Sequence, residues 1–168
     1  MLFPRRPYDQ QFPKIKYEST NSAGKSMSKF YETKSLTEMT AEEWESLCDG
    51  CGKCCFRKFI TGRGKHEKLH FTRIACNLLD LKTGKCSDYC NRFKRNSECI
   101  HLTKKNLPEF KWLPETCAYR LLYEGKSLPD WHPLVSGKAD SVKNAGKQIQ
   151  NGVHEEDIDE ENWEDYEL

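Results

Sequence analysis

The chain has 168 residues, 36% of them hydrophobic and 32% charged, so its apolar core is modest and needs cross-links or metal to help hold it. The net charge of +1 excludes a uniformly basic or acidic protein, and no apolar run approaches the ~20 residues that a helix needs to span a bilayer, so no membrane partner is expected. Residues 1–29 contain three prolines, scattered polar residues and no steady periodicity, and are expected to form a disordered extension. They open with a basic pair, Arg5-Arg6, but no apolar stretch follows it. Neither a Sec nor a Tat leader is therefore expected, and a cytoplasmic location, where thiols stay reduced, follows.

Order should begin near Phe30. Thr40-Ala-Glu-Glu43 is a capping box, in which the Thr hydroxyl accepts from the N3 amide while Glu43 reaches back. Trp44 and Leu47 share the face of the short helix that follows, which delivers the chain into Cys48. Beyond the cysteine-rich run, Thr61-Gly-Arg-Gly64 reads as a flexible loop. Residues 68–74 alternate Leu69 and Phe71 with His70 and Thr72, a half-buried strand with the two apolar residues on one face. Thr83-Gly84 predicts a turn between two short extended pieces, residues 78–81 and 86–89. Pro114 can open a helix running through Cys117 to Glu124 and stopping at Gly125. Residues 128–134 are turn-rich yet carry three bulky apolar side chains, which predicts an ordered loop. The last fourteen residues, 155–168, hold nine acids and no base, and Trp163 within them could dock on the basic middle of the chain or on a partner.

The chemistry lies in residues 48–55, Cys-Asp-Gly-Cys-Gly-Lys-Cys-Cys, which place four of the nine cysteines within eight positions. In a reducing compartment such a run is a metal site, and the odd cysteine count also argues against a disulfide framework. Cys48-x-x-Cys51-Gly52 has the form of a metal knuckle. The spacer lets both sulfurs face one ion, and Gly50 and Gly52 can adopt the positive φ that turns backbone amides toward them. Cys54 extends the spacing to the one that grips three corners of a cubane iron–sulfur cluster. Adjacent side chains diverge, so Cys55 can bridge, serve a second ion or be buried. Two four-ligand sites would use eight thiols and leave one over, whereas a cubane would use four.

For Cys76, Cys86, Cys99 and Cys117 the spacing leaves ligation open, and Cys90 reads as a small buried residue. Cys117 would sit in the first turn of its helix, where the dipole and Arg120 would lower its pKa. Of the five histidines, His132, between Trp131 and Pro133, is the best placed to substitute as a ligand. Residues 48–125 carry sixteen Lys and Arg against eight acids, an excess that suits thiolates needing counter-charge better than a nucleic-acid surface. No phosphate loop, dinucleotide fingerprint, Gly-x-Ser-x-Gly elbow or His-Glu-x-x-His motif is present, so nothing nominates a catalytic machine.

Five stretches carry a family resemblance: residues 34–39, 43–55, 71–76, 112–122 and 128–134, among them Glu43-Trp-Glu-Ser-Leu-Cys48 and Trp112-Leu-Pro-Glu-Thr-Cys117. The chain from about Phe30 onward resembles the YcgN-type branch of the CxxCxxCC, or YkgJ-like, cysteine-cluster family, whose description is zinc or iron chelation. The resemblance implies that Cys48, Cys51, Cys54 and Cys55 fill the family motif and that Cys76, Cys86, Cys99 and Cys117 join them as metal ligands. Cys90 and residues 1–29 depart from it.

The expectation is an α+β fold, a small irregular metal-stapled domain with short helices and a minor sheet. It should span 30–154, between the extension 1–29 and the acidic tail 155–168. Its expected role is cytoplasmic chelation of zinc or iron without catalysis. The alternative is an iron–sulfur protein with a redox or enzymatic role, in which Cys48, Cys51 and Cys54 hold three iron corners. A zinc module binding nucleic acid is a third reading, resting only on the basic middle segment.

Overall fold

The computed structural model describes residues 29–168, so the extension expected over 1–29 lies outside the described residues apart from Lys29. The fold is α+β, built of short helices and small sheets. The helices are α1 (Phe30–Thr33), α2 (Ala41–Ser46), α3 (Arg92–Arg95), α4 (Ala118–Tyr123), α5 (Pro133–Ser136) and α6 (Ser141–Asn144). The strands are β1 (Phe56–Thr61), β2 (Lys68–Ala75), β3 (Leu79–Asp80), β4 (Lys85–Cys86) and β5 (Val153–His154). One sheet runs β1-β2-β5, with β1 antiparallel and β5 parallel to β2, and β3 pairs with β4 in a separate antiparallel hairpin. Among the described residues, no helix is long and apolar enough to cross a membrane.

Two apolar clusters organise the described residues. The larger gathers the helices, with Trp44, Leu47, Leu113, Ala118, Tyr119 and Leu128 among its buried members. Its anchor is α2. The Thr40 hydroxyl accepts from the Glu43 amide at 3.2 Å and the Glu43 carboxylate accepts from the Thr40 amide at 2.8 Å, closing the capping box. That fixes the turn from which Trp44 and Leu47 point inward, Leu47 with 0% exposure. The Trp44 ring packs on Tyr119 of α4 with centroids 4.6 Å apart, and the Tyr119 hydroxyl donates to the Trp44 carbonyl at 3.0 Å. The smaller cluster holds three buried residues, Phe56, Ala75 and Leu79, at the junction of the sheet and the hairpin.

Two local expectations need correction. Strand β2 forms as expected, but its buried residues are His70, Thr72, Ile74 and Ala75, while Leu69 and Phe71 are only half-buried. The polar side chains can face inward because they are satisfied there. The His70 ring lies between the Glu167 carboxylate at 2.6 Å and the Thr61 hydroxyl at 2.8 Å, and stacks on Phe59. The Thr72 hydroxyl donates to the Arg57 carbonyl at 2.8 Å and accepts from the Ile74 amide at 3.1 Å, bridging a break in register between β1 and β2. The second correction concerns α4, which begins at Ala118 and not at Pro114. Cys117 is its extended N-cap, with φ −64° and ψ 124°.

The acidic C-terminal segment lies against the edge of β2. The Leu168 amide donates to the Phe71 carbonyl at 2.8 Å, Glu167 bridges to Thr72, and the Arg73 guanidinium stacks over Tyr166. Upstream, Glu155 pairs with Arg57.

Candidate metal centre

All nine cysteines are thiols. Cys48 leaves the end of α2, Cys51 follows in the connecting turn, and Cys54 and Cys55 lie in the 3₁₀ turn Lys53–Cys55 that enters β1. Cys117 caps α4, Cys76 follows β2, Cys86 ends β4 and Cys99 lies in the loop after α3. Cys90, in the turn Tyr89–Asn91, is exposed, not buried as its small apolar character had suggested.

Gly50 and Gly52 adopt φ of +72° and +74°, the left-handed values that the knuckle spacing requires. The consequence appears at the sulfurs. The Gly50 amide lies beside the Cys48 sulfur and the Lys53 amide beside that of Cys51, each favouring the thiolate. The amide two residues on takes the same place at Cys76, where Leu78 donates to the sulfur at 3.5 Å, at Cys86, where it is that of Asp88, and at Cys117, where it is that of Tyr119. Cys76 takes a further bond of 3.2 Å from the Asn96 side-chain amide. Five separate cysteines thus sit in turns that aim N–H groups at sulfur, the local arrangement that steadies thiolate ligands.

Proximity divides the thiols. Cys48, Cys51 and Cys117 all lie close enough to Cys54 to feel its charge, and Asp49 adds its own to each of them. Cys76 and Cys86 act in the same way on Cys99, and Cys76 on Cys86, while Cys54 also reaches Cys99 across the two groups. The sulfurs of Cys54 and Cys55 lie 4.0 Å apart. That is closer than adjacent side chains in extended chain come, because successive residues of a 3₁₀ turn rotate by about 120° and do not alternate.

Burial is the dominant influence on most of these groups. It pushes Cys48 up to about 12, although the residue as a whole is exposed, and Cys99 and Cys117 up to about 11. Burial also raises Cys51 and Cys86, while the hydrogen bond with Cys55 is the largest cause raising Cys54. The lowered pKa expected for Cys117 is therefore overturned. The Tyr119 and Arg120 amides do favour its thiolate, but desolvation outweighs them. The Arg120 guanidinium is engaged with Glu124 and the Leu113 carbonyl.

Basic side chains lie beside the sulfurs. The Lys58 ammonium donates to the Cys54 carbonyl at 3.2 Å, sits 4.4 Å from the centroid of the Trp112 ring, and is lowered to about 8 by burial against the opposing pull of Cys54 and Cys55. Arg57 lies near Cys76, and Arg92 near Cys86 and Cys99.

As placed, no group of three or more His, Cys, Asp or Glu side chains among the described residues closes to a distance that could hold a metal ion. Two observations nevertheless fit one. The donor set is soft sulfur held in N–H···S turns. The buried Oδ2 of Asp49 has no hydrogen-bond partner, while its Oδ1 accepts from the Cys51 amide at 3.0 Å. Beside the Cys51 thiol, that carboxylate is an acceptor that a cation among the sulfurs would satisfy.

His132 is not placed to ligate. Its Nδ1 accepts from the Leu134 amide at 3.1 Å, which leaves Nε2 to donate to the Leu47 carbonyl at 3.1 Å. The fully buried ring thereby pins the residue that precedes Cys48. Three supporting residues escaped the sequence reading: Asn96, Lys58 and Gln148. The Gln148 side-chain amide donates to the carbonyls of Gly50 (3.2 Å) and Thr83 (3.1 Å). None belongs to a spacing motif. Only Asn96, three residues before Cys99, carried a local hint.

Residues 47–118 match the CxxCxxCC family model, described as "Putative zinc- or iron-chelating domain". The chain is 68% identical over 129 residues to a UPF0260 protein of Haemophilus influenzae (strain PittEE), a match covering 77% of this chain and 86% of that one. It is 63% identical over 129 residues to the UPF0260 protein of Pasteurella multocida, covering 77% and 87%. To that of Vibrio campbellii it is 48% identical over 137 residues, covering 82% and 89%. No solved structure matches the chain.

Proposed function

Because the chain belongs to the UPF0260 family and carries its CxxCxxCC segment, we propose that it is a cytoplasmic metal-binding protein that holds zinc or iron through Cys48, Cys51, Cys54, Cys55, Cys76, Cys86, Cys99 and Cys117. The observation that carries the reading is the recurrence of one arrangement, an amide beside sulfur from two residues on, at five cysteines in four parts of the chain. Buried apolar cysteines have no need of such donors, and thiolate ligands do. The bound ion would neutralise part of the sulfur charge and tie α2, α4, the sheet and the hairpin into one stapled unit over 30–154, with the tail 155–168 packed against the sheet. Lys58, Arg57 and Arg92 would offset the remaining negative charge, which accounts for the basic middle of the chain without a nucleic-acid partner.

Elemental analysis of protein purified without oxygen and without an affinity-metal step tests this. At least one equivalent of zinc plus iron per chain is expected, and less than about half an equivalent overturns the reading. The absorption spectrum of the same sample separates the metals. A colourless zinc protein supports simple chelation, whereas a brown sample that bleaches with reductant marks an iron–sulfur centre.

A further inference from the structure

We propose that the eight cysteines form two separate four-thiolate centres, Cys48, Cys51, Cys54 and Cys117 in one and Cys55, Cys76, Cys86 and Cys99 in the other, so that the vicinal pair is divided between two ions. This rests on the metal-binding reading and adds to it the number of centres and the ligands of each.

The backbone ties the first set together through the helical cluster. Cys48 follows Leu47, whose carbonyl is held by His132, and the Trp44 carbonyl is held by Tyr119, two residues past Cys117. Cys51 is joined to the same turn by its amide bond to Asp49. Cys117 packs against the helical core, as its place before Ala118 demands.

A different chain of bonds ties the second set. The Cys76 amide donates to the Cys55 carbonyl at 2.9 Å. Asn96 donates to the Cys76 sulfur at 3.2 Å, and the Cys99 amide donates to the Asn96 carbonyl at 3.1 Å. The Leu79 amide donates to the Cys76 carbonyl at 2.9 Å, and Leu79 is the strand partner of Cys86. Cys55 packs on Phe56, Ala75 and Leu79, the core of the sheet and not of the helices.

Charge agrees with the division. Four thiolates around a divalent ion leave about two negative charges on each centre. With 4.0 Å between the sulfurs of Cys54 and Cys55, the two centres are neighbours, and a cation is needed between them. Lys58 is that cation: its ammonium is bound to the Cys54 carbonyl and lies near both sulfurs. Arg57 lies near Cys76, and Arg92 near Cys86 and Cys99, on the side of the second set.

Anaerobic titration of the metal-stripped full chain with cobalt(II) tests the division, because sulfur-to-cobalt charge transfer counts the thiolates bound. The intact chain should take up two ions, each with a four-sulfur spectrum. Cys51→Ser and Cys86→Ser should each remove one four-sulfur ion and keep the other, the double variant should keep neither, and Cys90→Ser should keep both. Cadmium-113 resonance of the loaded, unsubstituted chain gives the same answer without a variant that could misfold: two signals, both in the all-sulfur range. A single ion per chain, or signals coupled through a bridging thiolate, overturns the division while leaving metal binding intact. No uptake of either ion overturns metal binding itself, and the division with it.

Discussion

The helical part of the molecule and the sheet part hold their cysteines by different means. Around α2 and α4, Cys48 and Cys117 emerge from a core of aromatic and aliphatic side chains that would be a core without any metal: Trp44 against Tyr119, Leu47 fully enclosed, His132 bonded at both ring nitrogens. Around β2 and the β3–β4 hairpin, three buried residues support Cys55, Cys76 and Cys86, and hydrogen bonds to loops do the rest. A cluster of three buried side chains is too small to hold a hairpin of two-residue strands by apolar burial. The difference teaches that, on the proposed reading, a metal would have unequal work to do in the two places. In the helical part it would complete a fold, and in the sheet part it would supply most of one.

The largest expected effect is that of pH on metal affinity. Cys48 is raised to about 12 and Cys117 to about 11, and burial or the Cys55 contact raises Cys51 and Cys54 too, so all four are protonated at neutral pH and must each release a proton to an incoming ion. Affinity therefore falls as pH falls, by about tenfold per unit for each proton displaced, or on the order of 10⁴ per unit for four. Without metal the same shifts act in the other direction. A thiol whose pKa is higher folded than unfolded stabilises the fold below its unfolded value near 9, and that contribution is lost as pH rises through 11 to 12. Competition titrations against a chromophoric chelator between pH 6 and 8 check the first expectation, and melts of stripped protein between pH 8 and 12 the second. A pH-independent affinity would mean that the thiols of the helical part are not the ligands.

Next in size is a pair of core truncations. Leu47→Ala removes a fully enclosed side chain from the larger cluster and should cost about 2–5 kcal/mol, near the upper end because its neighbours are braced and cannot collapse. Leu79→Ala removes an equally large side chain from the smaller cluster, where hairpin and loop can relax into the space, and should lie near the lower end. Urea unfolding of stripped protein measures both. Equal costs would erase the contrast between the two parts.

Much of the helical part was legible because its signals are local. Thr40 and Glu43 are three residues apart, and Trp44 and Leu47 follow at helical spacing. The turn at Thr83-Gly84 was equally readable, since Gly84 at φ +69° leaves no room for a side chain against the Gly50 carbonyl. The buried face of β2 was not. Apolar alternation placed Leu69 and Phe71 inward, and the outcome was decided by Glu167, nearly a hundred residues away, and by the Arg57 carbonyl, which satisfy His70 and Thr72. In the centre, the spacing of Cys48, Cys51 and Cys54 was readable for the same local reason. The company of Cys76, Cys86, Cys99 and Cys117 is set by tertiary bonds through Asn96, Tyr119 and His132, which no interval in the chain encodes.

The smallest expected effect bears on how far the two parts are independent. Gln148 clamps them, donating from one amide nitrogen to Gly50 in the turn between Cys48 and Cys51 and to Thr83 in the hairpin that carries Cys86. Both acceptors are backbone carbonyls, and Thr83 is exposed, so water can replace the amide at that end. Gln148→Ala should therefore cost only about 0.5–1.5 kcal/mol of stability. Its sharper effect should be on linkage, since a clamp that holds one loop in register with the other favours the second ion once the first is bound. In stepwise cobalt titration the variant should bind its first ion as the unsubstituted chain does and its second more weakly, by a few-fold. A stability loss above about 3 kcal/mol would instead make the two clusters one cooperative core, because an interaction across independent parts cannot cost more than the bonds it contains.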